Sequence, residues 1–125
     1  MWCDYFNQNF FIKKIFEVVP DLKSVTILDV HFGVTSNRLK MFIKMSELVD
    51  YPPKKWGEPG LYTFYIELDF FDISNVHIAN YNDMQELSDI QITMENELIR
   101  FSSTGAIDMD FNAKAGVIQS IKIYY

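Results

Sequence analysis

Hydrophobic positions recur at two different periods along the chain, and the change falls near Ser24. In NQNFFIKKIFEVVPDL, Phe11, Ile12, Ile15, Phe16 and Val19 are spaced by threes and fours, while Lys13, Lys14 and Glu17 fall between them. That spacing stacks the apolar residues on one side of a helix. It predicts an amphipathic helix over Asn9 to Val18, capped by Asn7 or Asn9 and ended by Pro20, which restricts the residue before it and has no N–H to donate. The stripe is expected to pack on the core rather than fill a partner's groove.

From Ser24 the period becomes two. Leu28, Val30, Phe32 and Val34 alternate with Ile27, Asp29, His31 and Gly33, and Leu39, Met41, Ile43 and Met45 alternate with Arg38, Lys40, Phe42 and Lys44. Two half-buried strands joined through the polar Thr35-Ser36-Asn37 make a hairpin. Asp50 to Gly60 breaks the alternation with three prolines and two glycines and is expected to be a long, stiff loop. Beyond it Tyr62, Phe64, Ile66, Leu68 and Phe70 form the core face of a strand, with Leu61, Thr63, Tyr65, Glu67 and Asp69 on its other face. Shorter strands are expected over 75–79, 89–95, 97–102, 106–111 and 116–124, separated at Asn82-Asp83, Glu95-Asn96 and Ser103-Thr104-Gly105.

With no fixed-period repeat and no dividing linker, these elements predict one α+β domain over residues 1–125, an N-terminal helix packed on a mostly antiparallel β-meander. Its predicted core includes Phe32, Met41, Phe64, Ile66, Ile92 and Ile121. A chain of 125 residues can bury roughly two-thirds of its unfolded surface. Eleven Phe supply ample apolar surface for that core.

Charge adds an asymmetry. Residues 1–56 hold eight basic side chains against six acidic ones, and 57–125 hold three against eleven, giving +2 and −8 for a total of −6. An acidic surface repels a phosphate backbone, so direct nucleic-acid binding is not expected. A basic protein partner suits it, although solvated acids also serve solubility alone. The start MWCDYFNQNF has neither the basic region nor the apolar run of a signal peptide, and no stretch approaches the roughly 20 apolar residues of a membrane span. A cytoplasmic protein is expected.

Catalytic chemistry finds little to work with. Cys3 is the single cysteine, and His31 and His77 lie in predicted strands, so neither a nucleophile–base pair nor a zinc site is assembled by sequence. There is no His-Glu-x-x-His, no EF-hand loop and no phosphate-cradling glycine loop. The carboxylate pairs Glu67/Asp69 and Asp108/Asp110 could hold a hard cation or divide acid and base roles, but pairs two residues apart on a strand's polar face are also what alternation produces. No catalytic residue, metal or cofactor is assigned, and a protein that is not an enzyme is expected. Trp56, set between Pro52-Pro53-Lys54-Lys55 and Gly57, is expected to plug the sheet rather than stand exposed as an anchor.

Met1-Trp2, Ile15-Phe16-x-x-x-Pro20-x-Leu22, Pro52-Pro53-Lys54-Lys55-Trp56 and Leu68-x-Phe70-x-x-Ile73 together give the chain a resemblance, over nearly its full length, to bacterial immunity proteins of polymorphic toxin systems. It looks most like the immunity protein 50 family. The resemblance implies a protein that binds and neutralises a cognate toxin domain encoded by a neighbouring gene, stoichiometrically and without cofactors. Charge and exposure then nominate Tyr65, Glu67, Asp69, Asp108, Asp110 and Trp56 as toxin-binding residues. A small β-rich protein that binds an apolar ligand in a Phe-lined pocket is the alternative.

Overall fold

A computed structural model of the chain describes residues 1–58, 62–81 and 87–124. Gly60 and Leu61 at the end of the expected loop, the Asn82-Asp83 turn and Tyr125 lie outside the described residues. Six strands form one antiparallel sheet among the described residues: β1 (Thr26–Gly33), β2 (Arg38–Lys44), β3 (Thr63–Tyr81), β4 (Ser88–Glu95), β5 (Leu98–Gly105) and β6 (Ile107–Tyr124). Their spatial order is β1-β2-β3-β6-β5-β4. The last four strands are therefore not the simple meander expected. β4, β5 and β6 follow one another as hairpins, and β6 returns beside β3 in a Greek-key arrangement.

Local chemistry accounts for the turns. The β4–β5 hairpin closes through Asn96 and Glu97 at φ 50° and 66°, the pair of positive values that a type I′ turn demands. Gly105 sits at φ 115°, and a Cβ there would run into the Leu87 carbonyl oxygen. Two strands also run on where the sequence suggested breaks. β3 continues from Thr63 to Tyr81 through Asp72 and Asn75 at φ 53° and 52°, residue types that tolerate this conformation and let a strand bend.

The helix is much shorter than its periodicity predicts. α1 (Phe10–Ile15) stops at Phe16, which is extended at φ −117° and ψ 137°. The Ile15 carbonyl accepts the Asp50 and Tyr51 N–H groups at 3.0 and 2.9 Å, and the Asp50 carboxylate accepts the Glu17 N–H at 2.9 Å. Loop contacts thus replace the next helical turn five residues before Pro20. Asn9 stands at the N-cap position, but its side chain donates to the Cys3 carbonyl instead of capping. With one six-residue helix, the described chain is mostly β, and the α+β expectation is corrected accordingly.

Residues 1–25 and the 45–58 loop lie over one face of the sheet. Phe6 meets Phe70 edge-on at 5.4 Å, Phe16 lies 5.9 Å from Phe64, and Trp56 stacks on Phe64 at 6.1 Å. Beneath them Leu39, Met41, Ile43, Ile66, Leu68, Phe101 and Phe111 are fully buried. The cover is tied to open sheet edges: Asn7 exchanges backbone hydrogen bonds with Gly116 and Ile118 of β6, and Val25 does so with Ser88 of β4. Of the expected core, Met41, Phe64, Ile66 and Ile92 are buried and Ile121 is half-buried. Phe32 is corrected: it shares a face with Leu39 but lies on the edge strand β1, and it is 50% exposed.

Candidate functional site

Among the described residues no segment covers the opposite face of the sheet in the way the N-terminal residues cover the core face, so its side chains form the more open surface. Strand register places Lys44, Tyr65 and Lys122 in one row across β2, β3 and β6, and Phe42, Glu67 and Ser120 in the next. Lys40, Asp69 and Val117 form the third row, and Arg38 faces Phe71 at the end of β2. Phe42 lies 6.0 Å from the Tyr65 ring and 6.2 Å from the His31 ring, both edge-on. The Arg38 guanidinium sits 4.8 Å above the Phe71 ring.

Pairing removes much of the negative charge from this face. Asp69 is 0% exposed, and its Oδ2 accepts a charged hydrogen bond from Arg38 Nη2. Glu67 lies 3.8 Å from Lys40 and accepts the Ser120 hydroxyl at 3.4 Å. A solvated Glu67/Asp69 pair was the plain expectation for an alternating strand. The structure corrects it for Asp69, because Arg38 packs over the carboxylate and seals it from water.

The nominated residues do not form one surface. Tyr65 faces Lys122 and Glu67 faces Ser120, whereas Asp110 faces His77 and Asp108 faces Asn80. Ten to fourteen residues of β6 separate the two groups, about 30 to 45 Å of strand at ~3.3 Å per residue. Asp110 accepts Arg100 Nη2 at 2.9 Å, and Asp108 accepts the Gly105 N–H at 3.2 Å, closing the β5–β6 turn. Trp56 is the plug expected: it is 3% exposed and packs on Phe11, Tyr62 and Phe64. Neither Trp56 nor Asp69 presents a side chain at the surface. Sequence reasoning passed over Phe42, Lys44 and Lys122, because nothing in the chain's order says that the β6 residue beside Tyr65 is Lys122.

For catalysis and ligand binding the geometry offers the following. Cys3 is buried, and burial, with the nearby Asp4 carboxylate, pushes its thiol up from the usual range. His31 Nε2 is 2.8 Å from Asp29 Oδ2 on the outer edge of the sheet. No cluster of three or more metal-ligating side chains occurs among the described residues. Of the Phe residues of the sheet, Phe70, Phe101 and Phe111 fill the core, with their rings 4.7 to 5.6 Å apart. A cleft of about 600 Å³ opens between Trp2, Tyr5 and Lys23 and the β4 residues Asp89, Gln91 and Thr93 with no Phe lining it, and smaller clefts of about 270 and 350 Å³ are lined in part by Phe64 and by Phe10 and Phe11. No helix among the described residues is long and apolar enough to cross a membrane.

A family model described as Immunity protein 50 matches residues 9–124. No curated protein and no solved structure matches the chain.

Proposed function

Because this chain belongs to the immunity protein 50 family, we propose that it binds and neutralises a toxin domain encoded by a neighbouring gene, inside the cell that makes both. The family match over residues 9–124 carries the reading. The fold is consistent with a binding role, since a sheet with a packed core on one side leaves a broad face of mixed aromatic and charged side chains on the other. On this reading neutralisation is by occupancy rather than turnover, as the family membership suggests. The nominated residues that reach the surface are Tyr65 and Glu67 on the central strands and Asp108 and Asp110 on the distal part of β6.

Co-expression tests this directly. The toxin domain alone is expected to arrest growth of a host, and the toxin with this protein to permit it, with purified mixtures inhibited to completion at a 1:1 ratio. Growth arrest unaffected by the protein, with no complex on size-exclusion chromatography, would overturn the reading. Complete inhibition at far below equimolar protein would show catalysis instead.

A further inference from the structure

The open face of the central strands has the opposite charge character to the molecule. The chain carries −6, yet Lys44 and Lys122 flank Tyr65 in register, and Lys40 and Arg38 follow along β2. Of the acids on this face, Glu67 and Asp69 are engaged by Lys40 and Arg38, and Asp29, opposite Phe42 on β1, lies 2.8 Å from His31 Nε2 and accepts the Val30 N–H. Lys44 and Lys122 have no carboxylate partner among the described residues. The half-buried Tyr65 ring lies between these two cations, and the half-buried Phe42 ring packs against it from the next row, where Asp29 and Glu67 are its cross-strand neighbours. A pair of aromatic side chains on a rigid sheet, beside two cations that no described carboxylate pairs with, is suited to anchoring a partner through the rings and attracting it through the rim.

We infer that the Phe42–Tyr65 strip, rimmed by Lys40, Lys44 and Lys122, is the docking surface for the toxin and that the toxin surface it meets is acidic. The inference rests on the toxin-binding reading and reverses the partner charge that composition suggests. The charge of −6 is contributed elsewhere, by exposed acids such as Glu17, Asp21, Glu47, Asp72, Asp89, Glu95 and Glu97. Lys44 and Lys122, the register neighbours of Tyr65, weigh most in the field there, because exposed charges more than about 8 to 10 Å away are largely screened at physiological ionic strength. A second copy of the chain is a poor occupant, since a two-fold contact would set Lys44 and Lys122 against their own equivalents. A nucleic acid is less suited than a folded acidic surface, because pairing leaves only Lys44 and Lys122 of these cations without a described carboxylate, too few to track a phosphate backbone.

The test measures association and dissociation rates between the full-length protein and the neighbouring-gene toxin domain at low and physiological salt. The double variant Lys44→Glu/Lys122→Glu is expected to associate about tenfold more slowly at low salt and to lose the acceleration that low salt gives the wild type. Tyr65→Ser should leave association nearly unchanged and raise the dissociation rate about tenfold or more. Lys55→Glu, on the exposed loop beside Trp56, should change neither rate. Unchanged or faster association of the double variant, with the wild type binding tightly, would overturn the docking inference and leave toxin binding standing. Failure of the wild type to bind would overturn both. Tight binding of a labelled single-stranded DNA by the wild type, lost in the double variant, would likewise overturn it by assigning the face to nucleic acid.

Discussion

Ile66 and Asp69 lie three residues apart on β3, on opposite faces of the sheet, and both are 0% exposed. They reach that state by opposite physics. Ile66 is buried because apolar surface leaves water favourably, and its neighbours Phe64, Leu68 and Phe70 add to the same term. Asp69 is buried against a desolvation penalty that is offset only while Arg38 covers it with an opposite charge and a hydrogen bond. Equal burial therefore says nothing about equal contribution. The core face derives stability from all its members together, whereas the open face carries one costly charge whose neighbour must stay in place.

The largest test lies on the core face. Phe70 is in edge-on contact with Phe6, Phe101 and Phe111, so Phe70→Ala leaves a void bounded by three rings that cannot all collapse into it. A loss of about 3 to 5 kcal/mol in urea unfolding is expected. A loss below about 1 kcal/mol would show that this face is not close-packed and would remove one side of the comparison.

The open face is tested next by separating the two partners. Arg38→Met strands a buried carboxylate and should cost about 3 kcal/mol, while Arg38→Met/Asp69→Leu removes the charge as well and should recover most of that loss. If the double variant is as unstable as the single one, Arg38 contributes through packing on Phe71 and not through Asp69. The Lys40–Glu67 pair is a milder case, at 3.8 Å with Lys40 38% exposed. Lys40→Gln should change stability by only about 0 to 1 kcal/mol.

This contrast was only half visible in the sequence. The core face of β3 follows from strict alternation of Phe64, Ile66, Leu68 and Phe70, and the β1–β2 hairpin follows from its polar turn. These features are local. Asp69 reads as an ordinary outward acid because its burial depends on Arg38, 31 residues earlier. The adjacency of Tyr65 and Lys122 depends on β6 pairing with β3 across two intervening strands, a choice that no local pattern encodes. Phe32 shows the complementary failure: alternation assigned its face, but the covering segment does not extend over the edge strand. Helix α1 stops short for a related reason, since the Asp50 and Tyr51 N–H groups that take the Ile15 carbonyl come from a distant loop.

The smallest effect concerns what holds the cover on the core face. Lys13 Nζ donates to Asp4 Oδ1 at 2.7 Å, joining the first turn of the chain to α1, and Cys3 is buried beside this pair. The hydrogen bond from Lys13 holds the Asp4 carboxyl below its usual range, and the same bond raises the Lys13 ammonium. For Asp4 the folded value is the lower one, so its contribution is present above the unfolded value and is lost as pH falls through the folded one. For Lys13 the folded value is the higher one, so its contribution is present below the unfolded value and is lost as pH rises through the folded one. Cys3 acts differently: the folded state keeps its thiol proton after the unfolded chain has lost it, so stability declines as pH rises past the unfolded thiol value. Urea midpoints measured from about pH 3 to about pH 10 reach the onset of the Asp4 and Cys3 changes, whereas the Lys13 change lies above its ordinary value of 10.5. Lys13→Gln should flatten the acid side of that curve slightly, and Cys3→Ala should flatten the alkaline side. Both groups of the Asp4–Lys13 pair are exposed, so added salt should erase the Lys13→Gln difference while leaving the Phe70→Ala loss intact. A Lys13→Gln curve parallel to the wild type through the acid range would show that the cover is held by its apolar contacts and backbone bridges alone.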